Sequence, residues 1–449
     1  MNLTARKLSL PTLACAILLT GIWAPARGAG FAIIEQSASG MGNAYAGAAA
    51  TAEDAATLFF NPAGLTYLDR RQLVAAGHVI VANTEFSGSA SAPSIPQVSG
   101  GDGGDAGDTA FVPNLYLAMP LRQDLVAGLG INAPFGLKTE YDDDWVGRFH
   151  AIKSELVTVN INPSLAWQAT PKLSIGAGVS AQYIDAELSQ AANQTLACGG
   201  LVQAGALNPA DCAGVGGDLT AEIEGDDWGF GFNLGLLYEI QPGTRIGLAY
   251  RSKIDQNLEG DASFENADPV FSTVGFFVPT DASASVDLPE SASVSLYHEL
   301  TGRWTLLADY TWTRWERFDE LKIEFSNPLQ PASITPENWS NSNRYSLGVN
   351  YRHSSTWMLR AGLAFDETPI PDARARTPRI PGNDRRWLAL GASYTHNRDI
   401  TIDVGYAHLF IEDTDIDHSN AENPAAGTIT GEFDSSVDIV SAQLVWNFL

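Results

Sequence analysis

The chain has 449 residues, of which only 17% are charged, compared with roughly 25% in soluble globular proteins, while 45% are hydrophobic. Acidic residues outnumber basic ones by 52 to 26, and the formal net charge of -26 at pH 7 argues against a nucleic-acid partner. The sequence contains no nucleophile elbow, His-Glu-x-x-His motif, phosphate-binding loop or paired-cysteine metal motif, so we expect no enzyme activity, no cofactor and no metal site.

Residues 1–28 have the parts of a secretory signal peptide. Arg6 and Lys7 precede an apolar run over residues 8–23, and small residues occupy positions −3 and −1 of a cleavage site. The alternative, a single membrane anchor, requires roughly 18 apolar residues, and this run is shorter. We therefore expect the mature chain to begin at Ala29.

Residues 29–70 combine a helix signal with many small residues. Thr51 and Asp54 have the spacing of a capping box, and no breaker follows, so one helix is expected from Ala52 to Phe60. It should end in a type I turn. The turn residues are Asn61, Pro62, Ala63 and Gly64.

From residue 71 to residue 449 the dominant pattern is alternation, which is typical of β-strands. In residues 227–240, aromatic and aliphatic residues take one face, while Gly, Asn and acidic residues take the other. A soluble sandwich would carry an ordinary share of charge on its polar face. The small and sparsely charged second face instead favours lipid outside and a filled lumen inside.

Short and long connections alternate strictly along this region. The short ones lie at 120–124, 169–172, 241–244, 300–303, 353–356 and 396–399, and the long ones at 87–109, 136–154, 190–226, 258–287, 317–341, 367–384 and 412–434. Tight periplasmic turns and long extracellular loops are typical of outer-membrane barrels. The sequence therefore predicts an all-β membrane protein, an antiparallel transmembrane β-barrel of about 14 strands, in the outer membrane of a Gram-negative bacterium.

A barrel of this size needs something inside it. Eight strands can be filled by side chains and sixteen or more leave an aqueous channel, so about fourteen leave a hole of intermediate width. Residues 29–70 are the available plug, because their small residues allow close approach to a Gly-rich lumen face. We expect an N-terminal helical hatch inside a barrel formed by residues 71–449. A periplasmic tail that folds separately is the alternative.

Cys198 and Cys212 bracket a loop without a strand pattern. In an oxidising compartment we expect them to form a disulfide that closes this loop. A zinc site would need further Cys or His ligands, and the sequence places none nearby.

Acidic residues cluster in the predicted extracellular loops, for example at residues 142–144 and between residues 412 and 417. They form a solvated face or bind divalent ions that bridge to lipopolysaccharide. The expected partners are a hydrophobic small molecule, outer-membrane lipid and lipopolysaccharide, and the expected state is a monomer.

Several stretches resemble the FadL/TodX family of outer-membrane transport proteins. They are "GFAIIEQSASGMGNAYAGAAATAEDAATLFFNPAGL" (30–65), "NAPFGL" (132–137), "YDDDWVGR" (141–148), "LPES" (288–291) and "TPRIPGNDRRWLALGASY" (377–394). The resemblance implies a fourteen-stranded barrel, a hatch of short helices, a hydrophobic pocket, and diffusion of an apolar ligand without energy input. Known members take up long-chain fatty acids or aromatic hydrocarbons. Where the family often has an acid, this chain has Gly382.

A fatty-acid carboxylate would need a cation inside the barrel. In residues 245–254, apolar side chains in one phase should face lipid, which turns Arg251 and Lys253 inward as candidate partners. The outward set is Ile246, Leu248, Tyr250 and Ile254. Arg148, from the "YDDDWVGR" stretch, is the next candidate.

The third predicted strand contains Pro134, Phe135 and Gly136. Proline gives no N–H to a ladder and glycine tolerates a bend, so the ladder should open where the hatch or a ligand covers it. In members of the family that this chain resembles, a kink in this strand forms a lateral opening. The alternative is that Pro134 merely ends the strand at the outer rim.

Two functional classes remain open. The first is a transporter of hydrophobic molecules, gated at Asn61–Gly64, with long-chain fatty acids as the first candidates and hydrocarbons as the alternative. The second is a structural or adhesive barrel whose loops contact a partner. A generic porin fits less well, because a plug and apolar lumen segments disfavour water flow.

Overall fold

The computed structural model describes residues 30–448, so the predicted signal peptide of residues 1–28 lies outside the described residues. The strands are β1 (Arg71–Ser91), β2 (Thr109–Arg122), β3 (Leu125–Asn132), β4 (Gly136–Glu140), β5 (Lys153–Thr170), β6 (Leu173–Asn193), β7 (Asp218–Gln241), β8 (Thr244–Arg251), β9 (Ile254–Glu265), β10 (Thr280–Leu288), β11 (Ser291–Glu299), β12 (Trp304–Thr313), β13 (Glu320–Phe325), β14 (Ser333–Pro336), β15 (Ser342–Arg352), β16 (Trp357–Asp366), β17 (Arg385–Thr395), β18 (Ile400–Ile411), β19 (Thr414–Ser419) and β20 (Thr428–Phe448).

Antiparallel pairing closes these strands into one barrel. β1 pairs with β2 on one side and with β20 on the other, from Arg71 opposite Phe448 to Ser91 opposite Thr428. Four wall strands consist of two segments each, namely β3 with β4, β8 with β9, β10 with β11, and β18 with β19. β13 and β14 form a hairpin within a connection. The wall therefore has fourteen strands, which confirms the predicted number.

Side chains alternate between the two faces of the wall. On β7 the predicted outward set is exposed, with Phe230 at 73%, whereas Asn233 faces the lumen and is buried. The six short turns lie where the sequence predicts them, but several strands are longer. β7 begins at Asp218, nine residues before the predicted start. The hydrogen-bond ladder continues there into water, where the outer face no longer has to be apolar.

The helices are all short. They are Ala38–Met41, Ala48–Thr51, Thr57–Phe60, Gln194–Gln203 and Pro269–Thr273, with 3₁₀ helices at Pro62–Tyr67, Trp315–Arg317 and Pro424–Ala426. Among the described residues, none of the helices is long and apolar enough to cross a membrane.

The single helix predicted from Ala52 to Phe60 is wrong. Ala52 adopts a left-handed conformation, with φ at 49°, which ends the preceding helix. The Asp54 carboxylate then accepts a hydrogen bond from the Ala56 N–H at 2.8 Å and begins a separate turn. Asn61 caps the 3₁₀ helix that follows, because its Oδ1 accepts from the Ala63 N–H at 3.0 Å.

Residues 30–70, the N-terminal segment, pack against the lumen face of the wall. A Cβ atom on Gly235 would lie 1.9 Å from Asn61 Oδ1, so the segment can sit here only because the wall has glycine. Asn61 is fully buried, and its Nδ2 donates to the carbonyl oxygens of Ala49 at 2.7 Å and Leu236 at 2.9 Å. The amide therefore joins two parts of the segment to the backbone of β7.

Candidate ligand-binding site

The inner cavity lies between the N-terminal segment and the wall. Apolar rings such as Phe59 and Trp387 line it together with three arginines from different strands. The arginines are Arg251 of β8, Arg344 of β15 and Arg385 of β17. A mostly apolar cavity with a few convergent polar groups has the character of a small-molecule site.

Counter-ions are scarce around these arginines. Arg344 Nε lies 3.9 Å from Asp366 Oδ2, beyond hydrogen-bond distance. Within the described range, Arg251 and Arg385 have no acidic side chain within 4.0 Å. The Arg251 guanidinium instead lies over the Phe59 ring, 4.3 Å from its centroid. The cavity thus contains three arginines but only two acids, Glu35 and Asp366, and neither acid hydrogen-bonds to a guanidinium among the described residues.

The outer cavity lies on the extracellular side of the inner one. Its lining is almost entirely apolar, with Ile184, Leu258 and Phe318 among its members. Six polar side chains also line it, namely those of Ser154, Glu155, Glu224, Ser283, Glu337 and Arg379. Glu337 lies in a connection outside the wall strands, and burial raises its pKa to about 8. The outer cavity is therefore suited to hydrocarbon chains.

An aromatic cluster separates the two cavities. Phe31 of the N-terminal segment packs against Trp315, Phe318, Trp339 and Phe135, with ring centroids between 4.8 and 6.0 Å. Phe31 and Phe318 line the outer cavity, whereas Trp315 and Phe135 line the inner one. A ligand passing from one cavity to the other must displace this cluster.

The third wall strand is kinked between β3 and β4. β3 pairs with β5 as far as Asn132, and pairing resumes at Gly136 opposite Val157. The Thr158 hydroxyl accepts from the Phe135 N–H at 3.0 Å and donates to the Phe135 carbonyl oxygen at 2.6 Å. The kink therefore lies within the wall, and the strand does not end at Pro134.

The N-terminal segment covers the backbone of the kink. Ile33 N–H donates to the carbonyl oxygen of Pro134 at 2.9 Å, and Gly136 N–H donates to that of Phe31 at 3.0 Å. These bonds add a short strand to the inside of the wall, as expected for a ladder interrupted at lipid depth.

On its other side the kinked strand separates from β2. Their ladder ends at Leu115 opposite Ile131, although β2 continues to Thr109. In the part of the chain that the structure describes, no residue of β4 pairs with β2. An ion pair between Lys138 Nζ and Asp108, 2.6 Å long, spans the interval further out. The barrel ladder is thus interrupted where the kink begins.

A family model described as outer membrane protein transport protein (OMPP1/FadL/TodX) matches residues 19–448. The chain belongs to this family. The long-chain fatty acid transport protein of Escherichia coli strain K12 is 31% identical over 414 residues, covering 88% of this chain and 90% of that protein. Outer membrane protein P1 of Haemophilus influenzae is 32% identical over 424 residues, covering 90% of each.

Solved structures of family members share the fold. A FadL homologue of Pseudomonas aeruginosa is 26% identical, with a TM-score of 0.83 over 94% of this chain and 100% of that one. The Pseudomonas putida toluene transporter TodX is 21% identical, with a TM-score of 0.69 over 93% and 99% of the two chains. This FadL/TodX family member is thus an outer-membrane transporter of hydrophobic compounds, not an enzyme.

Of the two cations predicted to face the lumen of this family member, only Arg251 does so. Lys253 points away from the cavity, with 39% of its side chain exposed and Nζ 2.6 Å from Asp255 Oδ1. The inward prediction for Lys253 is wrong because the wall strand is interrupted at Ser252 and Lys253, which resets the alternation. Ile254, predicted to face lipid, is accordingly buried.

The sequence analysis does not identify Arg344 or Arg385 as ligand-binding candidates, although the alternation of exposed and buried residues indicates where both side chains point. Arg344 alternates with the exposed Tyr345, and Arg385 is out of phase with the exposed Leu388. Alternation along these two strands therefore places both arginines on the lumen face, where a carboxylate ligand could contact them.

Gly382 places no side chain beside the Arg385 guanidinium. A Cβ atom added at this position would have Arg385 Nη2 as its neighbour, at 3.6 Å. An acid, which the family often has here, would reach the guanidinium. The glycine of this chain therefore leaves that charge to the cavity.

Arg148, the third predicted ligand residue, lies in the extracellular loops and lines neither cavity. Its Nε is 2.9 Å from Asp218 Oδ2, and its Nη1 donates to the carbonyl oxygens of Ser99 at 2.8 Å and Trp145 at 2.9 Å. These contacts join the β1–β2 connection, the β4–β5 connection and the start of β7 on the extracellular side. The geometry favours a structural role.

Replacing Arg148 should loosen the loops without affecting the ligand. For Arg148→Gln we expect faster protease cleavage of the extracellular loops in intact cells, because the hydrogen bonds that join these loops are lost. Oleate affinity should stay within about twofold of the unmodified protein. A loss of about tenfold in oleate affinity would instead indicate that Arg148 contacts the ligand.

The predicted disulfide is confirmed. Cys198 lies in the helix Gln194–Gln203 and is bonded to Cys212 in the same connection, between β6 and β7. The bond closes an extracellular loop and lies apart from both cavities.

Proposed function

We propose that the protein takes up long-chain fatty acids by passive diffusion and binds their carboxylate at Arg251, Arg344 and Arg385. The observation that carries this proposal is the cluster of three arginines in the inner cavity, which outnumber its two acids, beside a mostly apolar outer cavity. A buried guanidinium without a counter-ion is costly, and a ligand carboxylate would supply one in a bidentate, charge-assisted bond.

The arginines favour a fatty acid over a hydrocarbon. The outer cavity alone would suit either ligand, but a hydrocarbon offers nothing to the guanidinium groups. Similarity to a long-chain fatty acid transport protein, at 31% identity, supports the same choice. Two neighbouring cavities with mostly apolar linings, divided only by an aromatic cluster, also favour transport over a purely structural or adhesive role.

In this proposal the N-terminal segment acts as the hatch. Residues 30–34 hold Phe31 in the aromatic cluster and Ile33 on the kink, so one displacement would open both the path between the cavities and the wall. Asn61–Gly64, the predicted gate, are buried and seated against β7. They would serve as the fixed end about which the front of the hatch moves.

The proposed exit is lateral, at Pro134, Phe135 and Gly136. The ladder is interrupted here on the β2 side, and the hatch supplies the missing backbone partners. A ligand leaving at this point would enter lipid directly, so its chain would never have to cross water.

The test compares oleate with oleyl alcohol, which has the same chain but no carboxylate. In Arg251→Gln we expect oleate affinity to fall by roughly tenfold to a hundredfold, the value of a lost charge-assisted bond. Oleyl alcohol affinity should change by less than about twofold. Equilibrium binding to the purified barrel measures both.

Lys253→Gln is the matched control, since it removes a cation from the same wall strand that faces away from the cavity. It should leave the affinity for both ligands unchanged. Equal losses for oleate and oleyl alcohol in Arg251→Gln would mean that the arginine only shapes the cavity. The hydrocarbon alternative would then gain support if toluene bound as well as oleate.

A further inference from the structure

Glu35 is an acid of the inner cavity that no arginine neutralises directly. Its side chain is buried, and it lines the cavity together with Arg344 and Arg385. Among the described residues, its carboxyl group makes no ion pair within 4.0 Å and no hydrogen bond to another side chain. A buried acid without a partner is costly, and such groups concentrate at functional sites.

Asp366, the other acid of the cavity, is placed differently. In the register of the wall it lies opposite Arg344 of β15 on one side and opposite Arg385 of β17 on the other. This place between two arginines suits a fixed counter-charge. Three arginines against Asp366 alone leave two positive charges in the cavity, and ionisation of Glu35 leaves one. The protonation of Glu35 thus sets the charge that a ligand meets.

The backbone around Glu35 joins the two edges of the proposed exit. Its carbonyl oxygen accepts from Asn114 Nδ2 of β2 at 3.0 Å. The next residue, Gln36, donates from Nε2 to the carbonyl oxygen of Ala133 in the kink at 2.9 Å and accepts from the Tyr116 hydroxyl of β2 at 3.3 Å. These bonds fix Glu35 beside the interruption in the wall, on the route from the arginines to the lipid.

We propose that Glu35 transfers its proton to a carboxylate ligand bound at the cavity arginines, so that the ligand enters the lipid as a neutral acid. The inference rests on the proposed function, because it requires carboxylate binding at the arginines and a lateral exit. Moving an ionised carboxylate into hydrocarbon is far more costly than moving the protonated acid. A passive route that ends in lipid therefore needs a proton donor near its end.

The step is a single proton transfer. The O–H bond of the Glu35 carboxyl group breaks, an O–H bond forms on the ligand, and the negative charge passes from the ligand to Glu35. The Glu35 carboxylate then replaces the ligand as a counter-charge of Arg344 and Arg385, whose unpartnered N–H groups are buried in the same region. Solvent returns a proton to Glu35 after the neutral ligand has left, so one proton accompanies each ligand.

The surroundings of Glu35 suit a group that holds and gives up a proton near neutral pH. Burial raises its pKa to about 7, and the charge of Asp366 acts in the same direction. The backbone N–H of Glu35 and the charges of Arg385 and Arg344 lower the pKa, and Tyr45 is the other titratable group that interacts with it. Because burial also raises the pKa of a ligand carboxylate, donor and acceptor are closely matched.

The first test measures proton uptake when tetradecane-1-sulfonate binds to the purified barrel. A sulfonate is permanently ionised, so it can occupy the arginines but cannot accept the proton. Its charge should hold Glu35 in the protonated form, with an uptake of roughly half a proton per ligand at pH 7, because a group with a pKa of about 7 starts half protonated. Titration calorimetry in two buffers of different ionisation enthalpy measures this uptake.

The second test uses Glu35→Gln, which keeps the shape of the side chain but cannot give up a proton. Oleate uptake by cells should slow by about tenfold or more, whereas uptake of oleyl alcohol, which needs no proton, should change by less than about twofold. Oleate affinity should not fall, and proton uptake on sulfonate binding should vanish. Glu140→Gln is the matched control, because it removes an exposed carboxyl group of β4 that lines neither cavity, and it should change none of these values.

The outcomes separate this inference from the proposed function. Equal slowing of oleate and oleyl alcohol in Glu35→Gln would mean that Glu35 only shapes the path, and unchanged oleate uptake would also overturn the inference. So would the absence of proton uptake in the unmodified protein, a result that does not depend on the variant folding. The proposed function itself fails if Arg251→Gln leaves the affinities for oleate and the sulfonate unchanged.

Discussion

Uptake of oleate is expected to stop in the oxidised Ala32→Cys/Phe135→Cys variant and to return on reduction. The two residues form an antiparallel bridge, and their neighbours make the flanking backbone bonds. In such a non-hydrogen-bonded pair the Cα atoms are about 4.5 Å apart, within the range that a disulfide spans. The cross-link would hold the front of the hatch on the kink, closing the wall and keeping Phe31 in the aromatic cluster.

The measurement is the rate of oleate uptake by cells before and after reduction, with a decrease of more than about tenfold expected for the oxidised form. A matched control is Leu117→Cys/Leu129→Cys, a ladder pair of β2 and β3 below the interruption. Locking that pair should have no effect, because the wall is already continuous there. If the oxidised hatch variant transports as fast as the reduced one, the ligand leaves through the periplasmic end instead.

The barrel is predictable from the sequence because its cause is local and repeated. Each strand must alternate between lipid and lumen, so the seven outward side chains from Trp228 to Ile240 indicate a strand without reference to any other part of the chain. Strand ends are less predictable. Above the membrane the backbone ladder continues while the outer face meets water, so the apolar signal stops before β7 does.

The ligand site depends on contacts that no local pattern encodes. Alternation places Arg251 correctly, yet it fails two residues later because the strand is interrupted at Ser252. The interruption is visible only when β9 is seen pairing with β10 and the upper part of β7. Likewise, the contact of residues 31–33 with the kink joins parts of the chain about 100 positions apart, and only the closed barrel brings them together.

The Asn-Pro-Ala-Gly stretch combines a local feature that the sequence predicts with a long-range contact that it does not. Its turn chemistry is local, and the sequence predicts that Asn61 begins a turn. The structure adds that the same side chain reaches Leu236 of β7, which is 175 positions away. Through that second contact the turn residue also attaches the hatch to the wall. A substitution of Asn61 therefore tests whether this attachment matters for transport.

Asn61→Ala should slow oleate uptake with little loss of folded barrel. The substitution leaves the carbonyl oxygens of Ala49 and Leu236 without their Asn61 donor. Each buried group left unsatisfied costs roughly 1–3 kcal/mol, which is enough to loosen the adjoining helix. Phe59 and Pro62 line the inner cavity, so their displacement should weaken oleate binding by roughly tenfold. The wall ladders involve none of these bonds.

Thr66→Ala provides the comparison for Asn61→Ala, because Thr66 also joins the hatch to the wall but does not line the inner cavity. Its hydroxyl lies 2.6 Å from Ser174 Oγ, near the end of the 3₁₀ helix. The same hydroxyl also donates to the carbonyl oxygen of Ala63 at 3.0 Å. We expect this variant to change uptake by less than about twofold, since each of these partly buried hydrogen bonds contributes only about 0.5–1.5 kcal/mol and neither lies at the inner cavity. Uptake rates, oleate affinity and the heat needed to unfold the barrel in detergent should be measured for both variants. If Asn61→Ala binds and transports oleate like Thr66→Ala, the hydrogen bonds of Asn61 are not what attaches the hatch to the wall. The close contacts of the hatch with the wall glycines would then hold it in place.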